Sequence, residues 1–253
     1  MRISISGSAN LGKTTLVNDF IKEWPKYKTS EFNYRKLLEE NKYPHSKSCN
    51  KDGQWAILNG MIDDLQKYTA DDKIIFDRSP IDCLVYSLWA FEKQSSDIDA
   101  EFINKIVPLV RESMHFLDII FFIPKTKLSP VEIVGDKLRE TDPVYIEEID
   151  NIFKALMYQY HSNFNKTQFF PKDDCPAIIE IFGNREERIH LIRQYLNTDG
   201  NIIGEEADTI LNPQNLSDIE NLLQEQQNAN QSEKFEKQQL QMLKEFVKNT
   251  KTS

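Results

Sequence analysis

Residues 7 to 16 read GSANLGKTTL and directly follow RISIS, in which apolar and polar residues alternate. Gly7, Gly12, Lys13 and Thr14 meet every fixed position of the pattern GxxxxGK[ST]. No other stretch restricts the fold as strongly. It demands a strand ending near Gly7, a turn whose backbone N–H groups point inward, and a helix whose positive dipole end faces a bound anion. The flanks agree: Arg2 to Ser6 reads as a strand, and Lys13 to Trp24 puts Leu16, Val17, Phe20, Ile21 and Trp24 on one helical face before Pro25. A glycine-capped helix start is the alternative, and the strand and helix on either side favour a phosphate cradle. Its lining is Gly7, Ser8, Ala9, Asn10, Leu11, Gly12, Lys13, Thr14 and Thr15. Lys13 is expected to reach the outer phosphates of ATP, and the Thr14 hydroxyl to ligate Mg2+.

Strand and helix patterns keep alternating after the cradle. Tyr27 to Phe32 reads as a weak strand, followed by a short helical stretch through Leu38 and a polar loop, KYPHSKSCNKDG. Gln54 to Tyr68 carries apolar residues at helical spacing, and Lys73 to Phe76 is a brief buried strand that delivers Asp77 at its end. Ile81 to Glu92 is a mostly apolar helix after Pro80, and a helix from about Glu101 to Phe116, bent at Pro108, leads into DIIFFIP. That run is apolar throughout, as a strand buried on both faces of a parallel sheet must be. Residues 125 to 145 look loop-like; Ile146 to Tyr160 is a helix, Ala177 to Phe182 a strand and Arg185 to Leu196 a helix. The order predicts an α/β three-layer sandwich around a mostly parallel five-stranded sheet. The expected domains are 1–200 and a C-terminal extension, 201–253, rich in Gln, Asn, Lys and Glu. Two amphipathic helices in that tail would serve partner docking or dimerisation, or the tail is partly disordered.

A magnesium site beside such a cradle needs a carboxylate from the C-terminal end of a neighbouring strand. Asp77 occupies such an end, whereas Asp118 stands at the wrong end of DIIFFIP. Capping the following helix alongside Ser79 is the other reading of Asp77.

The formal charge of −9 divides evenly, about −5 over residues 1–200 and about −4 over the last 53, so no basic arm favours nucleic acid. Three widely spaced cysteines, Cys49, Cys83 and Cys175, read as free thiols of a reducing compartment. No apolar run approaches the roughly 18 residues of a membrane span, and the N-terminus begins a strand pattern rather than a signal, so the expectation is a cytoplasmic protein.

The segments GSANLGKTTL, TSEFNYRKLLEE, IIFDRSPIDCLVY, DKLRETDPVYIEEID and IIEIFGNREERIHLI together resemble the small P-loop kinases, over about residues 1–200. That group includes thymidylate kinases, deoxynucleoside kinases and nicotinamide riboside kinase-like ATPases. The resemblance implies that Asp77 serves the metal or the acceptor, that Arg78 holds the acceptor or the moving phosphate, and that Glu31 takes the acceptor's proton. Arg139 would lie on a lid, Tyr34 and Arg35 would turn toward the acceptor, and Gly183-Asn184-Arg185 would pass the adenine. Trp55, Tyr86 and Trp89 either stack on the acceptor or pack in the core. The activity so implied is transfer of a phosphoryl group from ATP to a nucleoside, a nucleoside monophosphate or nicotinamide riboside. An ATPase switch acting on a partner through the tail is the alternative.

Overall fold

The computed structural model describes residues 1–127, 141–163 and 167–203. Five strands are present among them: β1 (Arg2–Gly7), β2 (Lys28–Thr29), β3 (Ile74–Asp77), β4 (Ile119–Ile123) and β5 (Ala177–Glu180). They form one sheet in the order β2-β3-β1-β4-β5 with every pairing parallel. The helices are α1 (Lys13–Glu23), α2 (Tyr34–Asn41), α3 (Lys51–Leu65), α4 (Pro80–Lys93), α5 (Ala100–Ser113), α6 (Pro143–Asn163) and α7 (Arg185–Ile192). Parallel strands need crossovers, and each gap between strands holds the helix or helices that supply one.

Burial follows strand position. All five residues of β4 are buried, and alternate residues serve opposite faces. Ile120 and Phe122 join the cluster built with α3 to α6, where Phe122 stacks on Phe153 at 5.6 Å between ring centroids. Ile119, Phe121 and Ile123 point the other way, to the layer where α1 and α7 pack together. Strand β2 sits at the sheet edge, and both its residues are exposed. It is two residues long, shorter than the expected Tyr27 to Phe32, because Tyr27 leaves the ladder to bury its ring against Phe20 and donate its hydroxyl to Gly200 O at 2.7 Å.

Caps move two helix starts from their expected places. Asn50 Oδ1 accepts from Gly53 N at 3.0 Å, so α3 begins inside the polar run at Lys51. Asp142 Oδ1 accepts from Val144 N at 2.9 Å, and Pro143 takes the first helical position, which needs no N–H, so α6 begins before Ile146. Asp118, at the N-terminal end of β4, is paired with Arg2 at 2.8 Å.

The chain divides into two compact units, Met1–Asn201 and Ile202–Ser253. Of the second, only Ile202 and Ile203 lie among the described residues, so the tail helices fall outside them. No helix of the described residues is long and apolar enough to cross a membrane. Phe122→Ala, which empties a site between sheet and α6, is expected to cost about 3–5 kcal/mol in denaturant unfolding.

Candidate functional site

The turn after β1 is built from backbone that few residues tolerate. Gly7 has φ +145°, and a Cβ there would stand 2.6 Å from Ile123 O on the neighbouring strand. Gly12 has φ +77° and starts α1, with Asn10 also left-handed at φ 60°. The first N–H groups of α1 lack intrahelical partners and open toward the cleft. Lys13 Nζ folds back over the turn, donating to Gly7 O at 2.8 Å and Ser8 O at 2.5 Å.

Register places the opposing carboxylate. Ile5 lies beside Asp77, so β3 ends where the turn begins. The Thr14 hydroxyl donates to Asp77 Oδ2 at 2.5 Å. A hydroxyl and a carboxylate this close make a hard-oxygen donor pair that fits Mg2+, which takes few protein ligands and completes its shell with phosphate and water. Among the described residues no group of three or more His, Cys, Asp or Glu side chains could hold a metal by itself.

Arg78 follows with φ 106°, a conformation other residues than glycine rarely keep. Its surroundings hold it there: Nη1 donates to Asp82 at 3.0 Å, and the guanidinium lies 4.8 Å from the Tyr34 ring centroid and 5.3 Å from that of Tyr86. Asp82, in the first turn of α4, also accepts from Ser79 N at 3.2 Å, so one buried carboxylate caps the helix and neutralises the arginine. Ser79 is the N-cap of α4, which leaves Asp77 free of the capping duty.

One cleft joins these parts. Ala9, Asn10, Gly12, Lys13, Thr14 and Thr15 form one wall, and Asp77, Arg78, Asp82 and Tyr86 the floor. Tyr34, Arg35 and Leu38 of α2, Gln54, Ile57 and Met61 of α3, and Tyr145 of α6 enclose the far end. That end is aromatic and apolar with Arg35 on it and Arg78 on the adjoining floor, suited to a flat ring bearing polar substituents.

Most of the expected residues meet here. Gly7, Ser8 and Leu11 sit behind the surface; the first two lend carbonyls to Lys13. Leu11 is core, and its carbonyl accepts from Arg188 at 2.7 Å. Arg185 lies in a separate recess beside Asn10, Gly12 and Thr15, tied to Asp19 at 2.8 and 2.6 Å. Glu31 is exposed, outside the cleft lining, in the field of Lys67 and Tyr68. Arg139 lies outside the described residues. Of the three aromatics only Tyr86 lines the cleft. Trp89 packs on Tyr145 at 4.5 Å and donates to Glu148, while Trp55 carries Lys105 over its ring. Asp82, Gln54 and Tyr145 were not expected at the site. The spacing of Asp82 four residues after Arg78 is the one signal that pointed to it.

Lys13 is buried, and that burial, reinforced by the nearby Arg78 charge, pushes its pKa down to about 7 from 10.5. Between those values the unfolded chain holds a proton that the folded chain does not, so stability gains from rising pH across that window. Lys13→Met removes this dependence: its nucleotide-free melting temperature is expected to exceed that of the unmodified protein at pH 6, with the gap closing toward pH 10. Melts in a pH series check this.

A family model described as an AAA domain matches residues 2–168, about two thirds of the chain, and the chain belongs to that family. No curated protein matches the sequence. Among solved structures, NadR protein in complex with NAD and AMP-PNP is similar at 18% identity and a TM-score of 0.53, covering 77% of this chain and 49% of that one. NadR protein in complex with NR is similar at 19% identity and a TM-score of 0.53, covering 77% and 51%. Deoxyadenosine kinase from M. mycoides with products dCMP and a flexible dCDP bound has 16% identity and a TM-score of 0.55, covering 77% and 97%. The chain thus spans about half the length of the NadR chains. At these identities the likeness establishes the fold, the P-loop NTPase α/β fold of nucleoside kinase-type proteins.

Proposed function

We propose that this AAA-domain chain is an ATP- and Mg2+-dependent kinase that phosphorylates a small acceptor carrying an aromatic ring: a nucleoside, a nucleoside monophosphate or nicotinamide riboside. The single observation that carries the reading is one cleft lined both by the Lys13–Thr14 turn and by the Tyr34, Arg78 and Tyr86 cluster, which supports a donor and an acceptor bound side by side. A nucleotide hydrolase acting without an acceptor has no use for the enclosed aromatic end.

In this reading Lys13 leaves the Gly7 and Ser8 carbonyls for the donor's outer phosphates and regains its proton there. Thr14 and Asp77 are the residues that would hold Mg2+, which would neutralise charge on the phosphates. Arg78, fixed by Asp82, orients the acceptor beneath Tyr34 and Tyr86. The acceptor oxygen bonds to the terminal phosphorus as the bond from that phosphorus to the bridging oxygen breaks and the oxygen leaves on ADP; where the acceptor is a hydroxyl, its proton passes to a carboxylate, whereas a phosphate acceptor attacks as the oxyanion. Glu31 is the proposed recipient, and Arg139 the proposed lid cation; the recess at Asn184 and Arg185 would receive the adenine. The likenesses to NadR and deoxyadenosine kinase support the choice of acceptors. Residues 201–253 are proposed as a separate extension that docks a partner or a second copy.

ATP consumption measured against deoxynucleosides, their monophosphates and nicotinamide riboside is expected to rise well above the acceptor-free rate with one of these classes, and to vanish in Lys13→Ala. Absence of stimulation by all of them overturns the reading. Glu31→Gln is expected to lower kcat by about 10²-fold or more with little change in KM. Unchanged turnover would remove Glu31 from the chemistry.

A further inference from the structure

Two arginines on one face of α7 meet the recess beside the phosphate-binding turn, and they are in opposite electrostatic states. Arg185 is exposed and is neutralised by Asp19 through two hydrogen bonds. Arg188, one helical turn on, is 7% exposed and makes no ion pair among the described residues. Its Nη1 donates to Leu11 O, and its Nε is buried with no hydrogen-bond partner. A buried guanidinium with one neutral acceptor is costly, and its burial pulls the pKa below the ordinary value.

The position of this charge supplies a reason to keep it. Nη1 stands 3.2 Å from where a Cβ on Gly12 would be, against the first turn of α1. The recess that Arg188 lines is shared with Gly12 and Thr15, whose backbone belongs to that turn, and with Asn184 at the start of α7. An anion held against Thr15 at this side of α1 would meet the dipole end of the helix and the unpaired guanidinium together. Lys13, by contrast, covers the Gly7 and Ser8 side of the turn.

We propose that Arg188 binds the phosphate of the donor nucleotide nearest its sugar, while Lys13 takes the outer phosphates. This rests on the donor half of the proposed function, nucleotide binding at the Gly7–Thr15 turn, and does not need phosphoryl transfer to occur. The proximal phosphate is common to ATP, ADP and AMP, and inorganic pyrophosphate, held by Lys13 at the two outer positions, does not extend to it.

Titration calorimetry on the full chain with ATP, ADP and pyrophosphate, paired with nucleotide-free melting temperatures, separates the outcomes. Arg188→Met is expected to weaken ATP and ADP by the same factor, about tenfold or more, to change pyrophosphate binding less than threefold, and not to lower the nucleotide-free melting temperature. Arg188→Lys, which keeps the charge, is expected to recover part of the lost affinity. Affinities of Arg188→Met within twofold of the unmodified protein overturn the proposal. So does a loss shared equally by pyrophosphate, or one that Arg188→Lys reproduces along with a lowered melting temperature, since each marks a structural brace. If Arg188→Met fails to fold, Arg188→Lys and Arg188→Gln decide by the same comparison, and failure of both to fold likewise marks a brace. An unmodified chain that binds no nucleotide defeats the donor site itself. ATP binding without transfer defeats only the kinase reading.

Discussion

Strand β1 lies between β3 and β4 in parallel register, with Ile5 beside Asp77 and Gly7 beside Ile123, and the geometry of the cleft hangs from that pairing. Because all strands run the same way, their C-terminal ends share one edge of the sheet, and every turn that leaves β1 or β3 opens there. The chain leaves β1 so close to Ile123 O that only glycine fits, then reverses through left-handed Asn10 and Gly12 into α1. Asp77 meets Thr14 without any adjustment by longer loops. The sheet's register thereby sets the separation of Thr14 and Asp77.

Charge at this edge runs against the composition. The chain is acidic overall, yet Lys13, Arg78 and Arg188 are all buried or nearly so around one turn. Only Arg78 has a buried carboxylate, Asp82, beside it. Holding these cations away from solvent costs folding stability, a cost that Lys13 shows as a depressed pKa. The same economy explains why Asp82 is doubly used: as an N-terminal acid of α4 it favours the helix, and as the partner of Arg78 it keeps a strained backbone in place.

How much was legible in the sequence divides along the same line. The turn, the strand ends and Asp77 could be read because they depend on local spacing and on hydrophobic runs such as IIFFI. Helix starts at Lys51 and Pro143 were missed because a single Asn or Asp cap outweighs a run of polar residues. Arg185 and Arg188 look alike in REER; which of them stays unpaired depends on Asp19 of α1, a contact that exists only once α1 and α7 pack. Asp82 was visible at four residues from Arg78, but its second bond required knowing that Arg78 adopts a positive φ. Glu31 falls within the strand expected from Tyr27 to Phe32, which ends early at Thr29, so it stands exposed on the segment between β2 and α2.

The most direct measurement of the central claim is a crystal structure with a non-hydrolysable ATP analogue and Mg2+. Lys13 is predicted to have left the carbonyls of Gly7 and Ser8 for the outer phosphates, with the metal between Thr14 and Asp77 where their hydrogen bond now lies. An analogue bound away from the Gly7–Thr15 turn, or Lys13 still on those carbonyls with phosphates present, would contradict the account.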